Sequence, residues 1–171
     1  MLGGALVQSK QEFCRRETWE CVTDIVPTVS QAEDLEFAAH IVSLVKSNAI
    51  VLVKDRTLLA VGSGQTSRVG ALDLAIRTAS DRGVDLAGCV LASDGFFPFT
   101  DNIIEASKYG VKSILQPGGS IMDSEVIEMC KKLNIEAIRS HGRVWKYKGE
   151  AFVNQTKMAD AIWSATIVDK K

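Results

Sequence analysis

The sequence predicts an α/β fold, a three-layer sandwich with a mixed, largely parallel sheet. Three observations carry that reading. The runs "AIVLVKD", "AGCVLAS" and "VKSILQ" are too continuously apolar for half-solvated strands, and strands covered on both faces have this composition. Stretches of helical periodicity alternate with them and close on glycine, as in "RTASDRG" and "ASKYG". Two neighbouring apolar runs are close enough to pair as a hairpin, which makes the sheet mixed.

Composition narrows the class. The chain has 171 residues and a net charge of -1, the size of one domain with no electrostatic pull towards nucleic acid or acidic lipid. No nucleic-acid partner and no membrane are expected, since no run reaches the ~18 apolar residues of a span. The start "MLGGALVQSK" lacks the basic head and long apolar core of a secretory signal. Cys14, Cys21, Cys89 and Cys130 are scattered with no CxxC pair. Free thiols in a reducing cytoplasm are expected.

The elements follow in order. Residues 1–30 are irregular apart from a short strand in "WECVTDIVPT", closed by Pro27. "SQAEDLEFAAHIVSLVKSN" is a helix, with Ser30 as N-cap and Glu33 completing a capping box. Leu35, Ala38, Ala39, Val42 and Val45 form its apolar stripe. "AIVLVKD" and "TLLAVGSG" pair around Asp55-Arg56. The turn "GSGQTSR" leads into a helix capped by Gly83, and "AGCVLAS" is a buried strand. "TDNIIEASKYG" is a helix closed by Gly110, "VKSILQPGGS" a strand and turn, "DSEVIEMCKKLN" a helix and "IEAIRS" a strand.

In open α/β sheets, ligands bind beyond the carboxyl ends of the strands. "GSGQTSR", "SDGFFPFTD" and "QPGGS" lie there. "VKSN" precedes its strand, and an antiparallel strand returns it to the same edge. "GSGQTSR" offers backbone amides and a helix N-terminus suited to an anion or polar heterocycle, or is simply a tight turn. Arg68 opposes the helix dipole there, so it has either an acidic neighbour or a ligand. "QPGGS" either cradles a polar group or only turns the chain. "SDGFFPFTD" places three phenylalanines in a proline-stiffened loop. It either presents a flat stacking face, with Asp94 or Asp101 accepting hydrogen bonds, or folds back into the core. No HxE, paired cysteines or G-x-S-x-G elbow is present, so neither a zinc deaminase site nor a serine hydrolase elbow is expected, and no metal is expected.

The segments "GGALVQ", "VKSNAIVLVKDRTLLAVGSGQTSRV", "ASDGFFPFTDNI" and "QPGGSIMDSEVI" resemble, in order and spacing, the C-terminal part of AICAR transformylase. That enzyme is the folate-dependent half of a bifunctional purine-biosynthesis family that also carries IMP cyclohydrolase. The resemblance covers residues 1–147, and 148–171 form an unmatched C-terminal extension. It implies a cytidine-deaminase-like subdomain without the zinc, and an active site at an oligomer interface. It further implies formyl transfer from 10-formyltetrahydrofolate, as cosubstrate, to the amine of AICAR. By motif, Asn48, Arg68, Phe96, Arg143 and Trp145 would bind AICAR. Val69, Pro98, Phe99 and Asp101 would bind folate, with Asp101 reading the pterin edge.

The family's catalytic Lys-His segment has no counterpart here, so the catalytic residues are unknown. Tyr147 stands where the family places a histidine, and Thr100 where it places an arginine. The chain is expected to be a separately encoded half-site subunit that is inactive alone. It would act as a homo-oligomer or in complex with a chain carrying the missing half. A non-catalytic folate- or nucleotide-binding module is the alternative.

Overall fold

The computed structural model describes residues 16–140, 144–153 and 156–166, and side chains over 16–140 and 156–158. The chain divides into two compact units, Phe13–His141 and a second that includes Gly142–Lys171. Within the first, the strands are β1 (Trp19–Cys21), β2 (Ile50–Lys54), β3 (Thr57–Gly62), β4 (Val90–Ser93), β5 (Ser113–Gln116) and β6 (Glu136–Ser140). The helices are α1 (Val29–Val42), α2 (Arg68–Asp81), α3 (Asp101–Lys108) and α4 (Asp123–Lys132).

The sheet order is β1-β6-β5-β4-β2-β3. β4, β5 and β6 pair in parallel, while β2 is antiparallel to both its neighbours and β1 is antiparallel to β6. β3, β4, β5 and β6 therefore point one way, and β1 and β2 the other. The mixed character comes from the hairpin, as the sequence predicts, and from the short edge strand.

Both sheet faces are covered. On one, Leu35, Ala38, Ala39 and Val42 of α1 pack with Val51, Val53, Val90, Ala92, Leu115 and Ile138. On the other, α2, α3 and α4 pack over Ile50, Leu52, Leu91, Ile114 and Ala137. β2 thus sends alternate residues into two cores, which is why its sequence does not alternate with polar residues. Each fully buried Leu, Ile or Val contributes about 1.5–3 kcal/mol.

α1 starts earlier than the Ser30 reading. Its N-cap is Thr28, whose Oγ1 accepts from Gln31 N at 3.2 Å, while Gln31 Oε1 accepts from Thr28 N at 2.7 Å. This box satisfies donors at both ends, and Pro27 just before it stops the helix from extending further back. Ser30 falls inside the first turn. Asp34 lies on the buried stripe, which the apolar pattern does not explain. Its two oxygens accept from Asp55 N at 3.0 Å and Arg56 N at 2.6 Å. Those two residues form the β2–β3 turn with φ of 51° and 53°, the left-handed pair that a two-residue hairpin demands. Gly83 and Gly110 follow α2 and α3 with positive φ, as capping requires.

The second unit contains a hairpin that the sequence reading leaves out. Its strands are β7 (Val144–Val153) and β8 (Thr156–Thr166), antiparallel with Tyr147 opposite Trp163. β7 runs straight through position 147, where the resemblance ends, while the division between the compact units falls in sequence between 141 and 142.

Candidate functional site

Four segments gather at one sheet edge because of strand direction. β4 and β5 end there. Ile50 at the start of β2 pairs with Ser93 at the end of β4, so residues 47–49 arrive at the same edge. β3 also ends there and passes through 63–67 into α2.

Asp94 ties these segments together. Its backbone N–H donates to Ala49 O at 3.2 Å, and its carboxylate accepts from Ala49 N at 2.9 Å and from Ser47 Oγ. Arg68, the first residue of α2, brings Nη2 to 3.7 Å from Asp94 Oδ1. That is an ion pair without hydrogen-bond contact. The guanidinium lies 5.9 Å from the ring centre of Phe96, within the range of a cation–π contact. Arg68 Nε is buried and has no partner, and such a donor costs about 1–3 kcal/mol until something accepts from it. Arg68 reaches this position because residue 95 is glycine. A Cβ there would stand 1.8 Å from Nη2. The acidic neighbour and the unsatisfied donor are thus both present at Arg68.

Asn48 is stitched to the glycine-rich turn. Its Nδ2 donates to Gln65 O at 2.8 Å, and its backbone N–H to the same oxygen at 3.2 Å. Gly64 N donates to Lys46 O at 2.7 Å. The turn closes with Ser67 Oγ accepting from Gly70 N at 3.1 Å, a helix cap. Val69, the second residue of α2, is half-buried.

The aromatic loop divides its rings between the core and the surface. Phe97 is fully buried, whereas Phe96 and Phe99 are 38% and 61% exposed. Pro98 between them is half-buried. Phe97 N donates to Gln116 Oε1 at 2.7 Å. Asp101 begins α3 and is exposed, and its Oδ1 accepts from Asn102 N at 2.8 Å and Asn102 Nδ2 at 3.0 Å. Asn102 is buried with its own Oδ1 unpartnered. Nothing in the sequence marks that amide.

Two amides of "QPGGS" already have an acceptor. Gly119 N and Ser120 N donate to Asp123 Oδ2 and Oδ1 at 2.6 and 3.1 Å, and Arg139 Nη2 donates to Asp123 Oδ2 at 2.8 Å. They cradle a carboxylate of this chain, so the turn is an internal brace.

Asn48, Arg68, Val69, Phe96, Pro98, Phe99 and Asp101 all belong to the segments at this edge and to the helices that leave it. Arg143 lies outside the described residues. Trp145 belongs to β7, and its side chain lies outside them too. Cys89 and Cys130 are buried, and burial pushes both thiols up to about 12, against Lys54 in the case of Cys89. Both side chains belong to the core beneath α2, α3 and α4. Among the described residues, no group of three or more His, Cys, Asp or Glu could hold a metal ion. No helix there is long and apolar enough to cross a membrane.

Residues 1–78 match the family model of the AICARFT/IMPCHase bienzyme. The bifunctional purine biosynthesis protein PurH of Persephonella marina is 43% identical over 145 residues, which is 85% of this chain and 28% of that protein. The chain belongs to the AICARFT/IMPCHase bienzyme family. PurH proteins of Lactococcus lactis and Caldicellulosiruptor bescii are 44% and 47% identical over 81% and 80% of this chain, and 27% and 26% of theirs. The chain thus spans about a quarter of the length of these relatives. Among solved structures, a diaminohydroxyphosphoribosylaminopyrimidine deaminase/5-amino-6-(5-phosphoribosylamino)uracil reductase of Thermotoga maritima is 25% identical with a TM-score of 0.40. The match covers 65% of this chain and 35% of that one. A score that low carries no weight for fold or function.

Proposed function

We propose that the edge built around Asp94 is one half of a formyl-transfer site, which takes 10-formyltetrahydrofolate as formyl donor and AICAR as acceptor. Family membership supports the reaction class. The observation that carries the assignment is that Arg68, with an unsatisfied buried Nε, lies against the exposed ring of Phe96, in a loop that also exposes Phe99. A nucleotide supplies acceptors for the arginine, and a pterin supplies a flat face for stacking and donors for a carboxylate such as Asp101.

In this reading the chain binds and orients. Asn48 and Arg68 hold the AICAR side. Val69, Pro98 and Phe99 give the folate apolar contact, and Asp101 accepts from its pterin. Arg143 and Trp145 are assigned to the nucleotide by resemblance alone. The weakly nucleophilic amine of AICAR attacks the formyl carbon and loses a proton, and the formyl C–N10 bond breaks to release tetrahydrofolate protonated at N10; positioning the two reactants lowers that barrier. No proton acceptor is assigned to this chain. The Lys-His segment of the family would come from a different chain in a cytoplasmic complex, while a homo-oligomer of this chain alone would bind ligands without it. No metal takes part.

The test is calorimetry of the chain with AICAR and with 5-formyltetrahydrofolate, alone and with a protein carrying the remaining transformylase part. Saturable binding of both ligands in the mixture is expected. Binding of neither, in the presence of that part, would overturn the proposal.

A further inference from the structure

We propose that Gln116 is a positioning residue that sets the aromatic wall from beneath. The inference rests on the functional reading of that wall. Gln116 is the last residue of β5 and is buried. Its Oε1 accepts from Phe97 N at 2.7 Å, across from the neighbouring strand's loop. Phe97 is therefore fixed at two points, its ring in the core and its backbone N–H on Gln116. Its neighbours on either side are the exposed Phe96 and the Pro98–Phe99 pair, so fixing Phe97 fixes where those rings stand.

The brace continues past Gln116. The Gly119 and Ser120 amides are held by Asp123, and Asp123 is held by Arg139 of β6. "QPGGS" thus links the aromatic loop, β5, α4 and β6 into one framework. An amide at 116 is well suited to the task, because its oxygen accepts while it adds no buried charge. A ligand that stacks on Phe99 needs the wall already in place, since ordering a loose loop on binding would cost affinity.

The test compares Gln116→Met, which keeps length and loses the acceptor, with Gln116→Glu, which keeps an acceptor. The first readout is amide hydrogen exchange at Phe97 in the purified chain. Gln116→Met should speed exchange there by about tenfold, the scale of one lost hydrogen bond, with β4 and β5 amides unchanged. Gln116→Glu should restore most of the protection. The second readout is affinity for 5-formyltetrahydrofolate in the assembled mixture. It should fall by about tenfold in Gln116→Met and recover in Gln116→Glu, with AICAR affinity moving less. Unchanged exchange at Phe97 in Gln116→Met would overturn the brace, as would equal losses in both variants. A wild type that binds no folate while the exchange pattern holds would count against the functional reading, with the brace itself supported.

Discussion

The Arg68 guanidinium stands 3.7 Å from Asp94 Oδ1 while its own Nε is buried without a partner. Asp94 is already committed to Ser47 and Ala49, so the arginine is held near an acid that does not satisfy it. In the proposed site, that unsatisfied donor is what a nucleotide acceptor would meet.

Arg68→Ala should therefore weaken AICAR binding by about 1.5–3 kcal/mol, the range for hydrogen bonds to charged groups. Folate binding should change less. Asp94 keeps its Ser47 and Ala49 donors, so the melting temperature should barely move. Calorimetry with both ligands checks this. Equal weakening of both, with a lowered melting temperature, would mean that Arg68 only holds the fold.

Asp101→Ala should cost folate affinity on the order of 1–3 kcal/mol by leaving the pterin's donors unpaired. The side chain also sits in the first turn of α3, where an acid stabilises the helix by about 0.3–1 kcal/mol. A small stability loss should accompany the larger affinity loss. Unchanged folate affinity beside the expected stability loss would remove Asp101 from the site.

Asp34→Ala is the converse case. It strips the acceptor from Asp55 N and Arg56 N in a left-handed turn, and should destabilise the chain by about 1–3 kcal/mol in urea unfolding. The turn is at the end of β2 away from Asn48, so ligand affinities should hold. Asp34→Asn, with one acceptor left, should fall between.

The buried thiols predict a pH dependence. Cys89 and Cys130 rise from 9.0 to about 12 by burial, so the folded state keeps protons that the unfolded state loses above pH 9. Their contribution is complete below pH 9 and is lost as pH rises towards 12, by up to about 1.4 kcal/mol per thiol for each pH unit. Urea midpoints between pH 8 and 10.5 should fall, and a Cys89→Ala/Cys130→Ala variant should show a shallower fall. Equal slopes would show that the thiols are not the cause.

Much of this was legible because the local signals agree. The uninterrupted apolar run of β2 marks a strand with two covered faces, and Gly83 and Gly110 mark helix ends. Strand direction alone brings Asn48 to the edge of Arg68. Side-chain geometry was not legible. No sequence pattern distinguishes Phe97, which enters the core, from Phe96 and Phe99, which do not. Asp34 and Gln116 act on backbone groups 21 and 19 positions away, beyond any local window. The "QPGGS" amides look free in sequence because their acceptor, Asp123, belongs to the next helix. The β7–β8 hairpin is not legible from the family motifs because they end at residue 147, inside β7.

The most direct measurement is a spectrophotometric assay of tetrahydrofolate formation from 10-formyltetrahydrofolate and AICAR. It is run with the chain alone and with a protein carrying the Lys-His part of the transformylase. The half-site account predicts no turnover by the chain alone, since a positioned acid-base group contributes about 10²–10⁴-fold. Activity should appear in the mixture and be lost with Asn48→Ala. Robust turnover by the chain alone, or a mixture indifferent to Asn48→Ala, would contradict it.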